Sequence, residues 1–188
     1  MDIKILLTTL GVIITIGAAL PYIRDIRRGT TKPSVTTWLI WSLLAGTGSV
    51  IQLIGGGSYG SLVLATTAFM NVVILMFTLS KPRSKVSRFD LTLLGLAILT
   101  LVAWRITQNP TVSVILITLI MIMGYIPTYR KSLHAPQHET VSLFFWSAVK
   151  QIVGITALSA YNLLTLLFPV VLVFANTGLV LVIKRRRP

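Results

Sequence analysis

Seven runs of about twenty mostly apolar residues follow one another along the chain, separated by short breaks that are basic or rich in glycine. A helix rising 1.5 Å per residue needs about that length to cross a hydrocarbon core of roughly 30 Å. In lipid the backbone amides must be satisfied within the segment, so such runs read as membrane helices. The expected spans are about 3–23, 35–54, 59–80, 91–106, 111–129, 140–158 and 161–183, the fourth only barely long enough. The first run has no small-residue cleavage site and continues into Pro21, so it is read as a retained helix. The fold class is therefore an all-α polytopic membrane protein with seven transmembrane helices. A bilayer is its first partner.

The formal net charge of +13 would point a soluble chain toward nucleic acid. The placement of the cations points to topology instead. Arg24, Arg27, Arg28 and Lys32 lie between runs 1 and 2, and Lys81, Arg83, Lys85 and Arg88 between runs 3 and 4. Arg130 and Lys131 follow run 5, and Lys184, Arg185, Arg186 and Arg187 close the chain. With seven spans these 14 of the 17 Lys and Arg share one side; six or eight spans would scatter them. The positive-inside rule then puts the N-terminus outside and the C-terminus in the cytoplasm, as expected for a plasma (inner) membrane protein. With no cysteine, a disulfide and a catalytic thiol are both excluded.

A repeat underlies the runs. Trp41-Ser42 stands thirty residues before Asn71, and Trp146-Ser147 stands thirty before Asn176. Pro21-Tyr22-Ile23-Arg24 falls on Pro127-Thr128-Tyr129-Arg130. If the second connector is one residue shorter, Trp41-Ser42 falls on Trp146-Ser147 and Asn71 on Asn176. Two triplets of helices with the same orientation need one extra crossing between them, which the fourth helix supplies. The units are 1–80 (first three-helix bundle), 81–109 (basic connector and linker helix) and 110–188 (second bundle with its basic tail).

In this layout the chain resembles the SWEET sugar transporters and the wider PQ-loop superfamily, over nearly its whole length. The resemblance rests on the 3+1+3 arrangement, a proline near the basic end of the first helix of each triplet, and the repeated Trp and Asn. It implies that Trp41, Trp146, Asn71 and Asn176 line a central substrate site and that Pro21 and Pro127 are hinges; the adjoining Ser42 and Ser147 are counted with that site. The chain departs from the family pattern at Pro21-Tyr22 and Pro127-Thr128, where the family has Pro-Gln. Pro136-Gln137 is out of register, and the prolines of the second helix of each triplet are missing.

The residues support a similar chemistry on their own terms. An asparagine amide in hydrocarbon needs a partner, either another helix or a ligand; two at matched positions favour the ligand. An amide donates and accepts at once, and an indole face stacks on a pyranose, so a Trp–Asn cage suits a neutral polyhydroxylated solute. Lys150 lies one turn beyond Trp146 with no acid inside any span. It either snorkels to the interface or faces the cavity, where a carboxylate or phosphate on the substrate would pair with it. Gln52 and Gln151 are open between cavity groups and helix–helix contacts, and Trp38 is open to a lipid-facing placement. Trp104 reads as an interfacial belt residue. Tyr125, with Tyr22 and Tyr129, sits where a cytoplasmic gate would be. His134 and His138 lack a third ligand, so no metal or cofactor is expected.

These features favour a transporter moving a small polar solute, foremost a sugar, by alternating access. The absence of a nucleotide-binding loop and of intramembrane carboxylates favours facilitated diffusion. The alternatives are a vitamin, nucleoside or amino-acid carrier of the same fold, or a seven-helix receptor. A homo-oligomer is compatible with the sequence. An enzyme is disfavoured, since the spans hold no paired carboxylates or activated nucleophile.

Overall fold

The computed structural model describes residues 2–80 and 87–187, so Lys81, Arg83 and Lys85 of the basic connector lie outside the described residues. The described chain forms seven α-helices: α1 (Ile3–Arg28), α2 (Val35–Ile54), α3 (Ser61–Leu79), α4 (Arg88–Thr107), α5 (Pro110–His134), α6 (Val141–Thr156) and α7 (Leu163–Arg186). Single 3₁₀ turns stand at Ser58–Gly60 and Pro136–His138. The protein is a polytopic all-α membrane protein. Six helices are long and apolar enough to cross a bilayer, counting α3 with the turn before it; α6, with 16 residues, is shorter. Large apolar side chains such as Phe69 (65 % exposed) and Phe174 (72 %) cover the outer surface, which suits acyl chains rather than water.

The helix ends follow local chemistry. Asp2, Ser34, Asn109 and Asn162 cap helix N-termini with side-chain oxygens, and Pro110 opens α5 where its missing N–H costs nothing. At α4, Ser87 and Asp90 form a reciprocal capping box. Helices α1 and α5 extend past the expected residues 23 and 129 because the end of an apolar run is not a stop signal. The basic residues beyond it are good helix formers, and α1 continues until Gly29 adopts φ +76°. Both helices run unbroken through Pro21 and Pro127. Buried hydroxyls answer the carbonyl four residues back, as in Thr15 to Gly11 (2.7 Å) and Thr118 to Val114 (2.6 Å), which lets them sit in hydrocarbon.

Helix α3 packs against both α1 and α2, and α7 against both α5 and α6; α1 crosses onto α6, α2 onto α5 and α7, and α4 bridges α2 and α5. The burial pattern repeats. Every residue buried in α1 has a buried counterpart 106 residues later in α5, including Thr8 with Val114, Ala19 with Tyr125 and Ile26 with Ser132. All six residues buried in α6 lie 106 after a residue buried in α2, among them Phe144 after Trp38, Lys150 after Leu44 and Gly154 after Gly48. Between α3 and α7 the spacing becomes 105, as in Leu64 with Pro169 and Ile74 with Leu179. The shortening by one residue therefore falls between α6 and α7, and not in the α5–α6 connector where the sequence alignment put it. One residue is a rotation of about 100° on a helix. The structural counterpart of Trp41 is Ser147, and Trp146 matches Ile40.

Tight backbone approaches hold the end opposite the basic loops. A Cβ on Gly60 would lie 2.8 Å from the Leu158 backbone nitrogen, whereas one on Gly95 would meet nothing within 4 Å. Gly60→Ala should therefore destabilise the protein by about 1–3 kcal/mol, and Gly95→Ala should be neutral or slightly stabilising. Thermal unfolding in detergent measures both.

Candidate functional site

A cavity of about 50 Å³ lies between the helices, walled by residues of α1, α2, α3, α5, α6 and α7. That is room for roughly four waters or the polar part of a small solute. Trp41, Asn71, Asn176, Lys150, Ser147 and Tyr125 are brought together in its wall. Two expected site residues are placed elsewhere. Trp146 is 43 % exposed on the outer face of α6, edge-on to Phe145 with ring centroids 5.2 Å apart. It went astray because the one-residue shortening was assigned to the wrong loop. Ser42 is buried, but its hydroxyl donates to the Trp38 carbonyl at 2.7 Å and does not line the cavity. Two residues open to other readings belong to the wall, Trp38, which is 3 % exposed and does not face lipid, and Gln151; Thr67, which nothing in the sequence singles out, joins them.

The polar groups in this wall are only partly committed. Asn176 Nδ2 donates to the Leu172 carbonyl at 2.7 Å, while its Oδ1 has no hydrogen-bond partner, although the Tyr125 hydroxyl lies toward the same side chain. The Trp41 indole N–H is buried and unpartnered. Gly124 of α5 lets the backbone approach that indole edge, since a Cβ there would stand 3.3 Å from Nε1. Lys150 is 5 % exposed, and its ammonium donates to Thr67 Oγ1 at 2.9 Å. Gln52, by contrast, ties α2 to α7 by donating to the Thr165 carbonyl at 2.8 Å.

Aromatic rings form a continuous run on the basic side: Tyr22, Trp38, Trp41, Tyr125 and Tyr129, with successive centroids 4.9–6.4 Å apart. Trp38, Trp41 and Phe144 also line a second hollow of about 70 Å³ with Lys32, Lys131 and Glu139, so these three rings stand between it and the central cavity. Beyond them the two halves of the chain are clasped. Thr140 donates to Asp25 Oδ2 at 2.9 Å and meets the Thr31 hydroxyl at 2.8 Å. Lys131 pairs with Glu139 at 2.7 Å and donates to the Lys32 carbonyl at 2.7 Å. Within the second half, the Lys131–Glu139 pair and Arg187, which donates to the carbonyls of Pro136 and Glu139, brace this clasp without crossing it. The opposite end is tied as well, by Gln52 to Thr165, Asn162 to the Gly55 carbonyl at 2.8 Å and the Ser159 N–H to the Gly57 carbonyl at 3.3 Å.

Among the described residues no cluster of three metal-ligating side chains occurs. The chain matches no family model, and no curated protein or solved structure is similar to it at a significant level.

Two measurements test this geometry. In single-tryptophan variants, a brominated lipid should quench Trp146 strongly and Trp41 weakly; equal quenching would contradict the α6 rotation. The second concerns the clasp. Burial pushes the Glu139 carboxyl above the usual carboxylate range, against the lowering pull of Lys131 and Arg187. The folded protein thus holds that proton more tightly than the unfolded chain does. The stabilisation is full at acid pH below the ordinary carboxylate value and is lost as pH rises through the raised one. As pH rises above the ordinary carboxylate value, the unfolding midpoint should fall more steeply in the wild type than in Glu139→Gln.

Proposed function

We infer that this membrane protein is a carrier for a small polar solute, working by alternating access without energy input from its own chain. The observation that carries the reading is the central cavity. It is lined by uncommitted polar groups from both halves of the chain, and cross-half contacts tie it at both ends. A site of that kind passes a solute only if one set of ties opens while the other holds. The recurring burial of α1 in α5 and of α6 in α2 supports two parallel triplets, residues 1–80 and 110–188, around the linker helix α4. Pro21 and Pro127, each lacking a backbone donor, are the proposed hinges.

The described basic loops 1–2 and 5–6 and the tail meet at one end. This supports a cytoplasmic C-terminus and an external N-terminus in a plasma or inner membrane. A sugar remains the solute that the resemblance to SWEET transporters implies, with Trp41 as the stacking ring and Asn71 and Asn176 as the hydroxyl-binding amides. The reading proposed is a non-catalytic one.

The cysteine-free chain makes a direct test available. The hydroxyls of Thr31 and Thr140 lie 2.8 Å apart across the two halves. Oxidised Thr31→Cys/Thr140→Cys protein in proteoliposomes should lose solute counterflow, and reductant should restore it. Full activity of the cross-linked form would contradict alternating access through this clasp. Asn71→Ala and Asn176→Ala should each reduce counterflow roughly tenfold or more, with the fold intact by unfolding midpoint.

A further inference from the structure

We propose that the central cavity selects short hydroxylated organic anions, seating a carboxylate on the Lys150 ammonium; this deepens the carrier reading and rests on it. The ammonium offers three donors. One goes to Thr67 Oγ1, whose own proton is already given to the Val63 carbonyl at 2.8 Å, so that hydroxyl can only accept from the lysine. Two N–H groups remain. Among the described residues the ion pairs are Arg24–Asp25 and Lys131–Glu139, both at the basic end, and no carboxylate meets Lys150. A buried cation in a membrane interior is costly without a counter-ion, and such residues face a pathway or a ligand.

Packing does not account for the lysine. Leu44, its counterpart 106 residues earlier, is fully buried in α2, so the equivalent helix position is filled well by an apolar side chain. The surrounding groups specify the rest of the solute. Asn176 Oδ1, beside the Tyr125 hydroxyl, can accept from a solute hydroxyl, and the Trp41 N–H needs an acceptor. Asn71, Ser147 and Gln151 reach the same wall without a hydrogen bond to the described residues. Trp41 and Tyr125, with centroids 4.9 Å apart and planes inclined by 30°, give one apolar face. A cavity this small favours a three-carbon acid over a hexose.

The test uses the purified full-length chain and pairs of solutes that differ in the carboxylate: glycerate against glycerol, and lactate against propane-1,2-diol. The sodium salts are matched by sodium chloride. The acids should raise the unfolding midpoint saturably, and the alcohols and chloride should not. Lys150→Gln should weaken acid binding on the order of ten- to a hundredfold with an unchanged or higher midpoint without solute, and Lys150→Arg should retain binding. Lys150→Leu, which copies the α2 counterpart, provides a second charge-free variant should the glutamine fail to fold. The proposal is overturned by equal stabilisation within each pair, by saturation with chloride alone, by undiminished acid binding in the charge-free variants, or by no acid binding at all. Acids that bind but show no counterflow in proteoliposomes would sink the carrier reading and leave the anion site standing. Counterflow of glycerol without glycerate would do the reverse.

Discussion

A polar side chain inside a bilayer has three options: bond to its own helix, bond to a neighbouring helix, or border a hollow that holds something polar. The architecture of this protein follows from how its polar residues divide among them. Thr15, Ser42, Thr78 and Thr118 take the first, folding their hydroxyls back onto the preceding turn. Gln52 takes the second, as the strut between α2 and α7. Asn71, Ser147, Lys150, Gln151 and Asn176 come from three helices and two halves of the chain, and they converge on one space. An ammonium and several amides cannot be gathered there cheaply unless the space is wet or filled. Helix packing, the glycine-lined approaches and the end contacts all serve to hold that convergence in place.

The two ends are closed by different chemistry. At the end away from the basic loops, Gly60 lets the chain approach the Leu158 backbone, Gly55 packs against Leu164 and Thr165 side chains, and the ties are neutral hydrogen bonds. At the basic end the cross-half ties are hydroxylic or charged: buried Thr140 with Asp25 and Thr31, and Lys131 with the Lys32 carbonyl, braced within the second half by Glu139 and Arg187. Such ties are strong while dry and weaken once water enters, because the local dielectric decides their strength. An end closed in this way is suited to opening as a unit. The rings of Trp38, Trp41 and Phe144 line both hollows, and in the proposed carrier they are the inner barrier that moves with this end.

Much of the fold was legible in the sequence because the bilayer imposes a single strong pattern. Seven helices, near-correct interiors and the meeting of the described basic loops 1–2 and 5–6 and the tail at one end all follow from run length and cation placement. The site was legible in part. Asn71 and Asn176 stand out because amides are rare in hydrocarbon, and Lys150 because it is a lone charge in a span. Trp146 misled. Identical residues are an attractive anchor for aligning two halves, yet the six residues buried in α6 recur 106 after buried residues of α2, and that spacing sets Trp41 against Ser147. A one-residue loop difference cannot be assigned from residue identity when both loops lie between apolar runs. The contacts of Thr31, Thr140 and Glu139 were not legible either, since nothing local tells a connector residue that it will be buried against the far half of the chain.

The central claim is that the inner face of α6 borders a polar hollow and its outer face meets lipid. Adjacent residues in mid-helix separate the two: Gln151 lines the cavity, and Ile152 is 51 % exposed on the outside. In the naturally cysteine-free chain, Gln151→Cys and Ile152→Cys can each be treated in liposomes with a small charged thiol reagent, which reacts only where water supports a thiolate. The account predicts rapid labelling at position 151, slowed by bound solute, and negligible labelling at 152. Labelling at 152 with protection at 151 would contradict it.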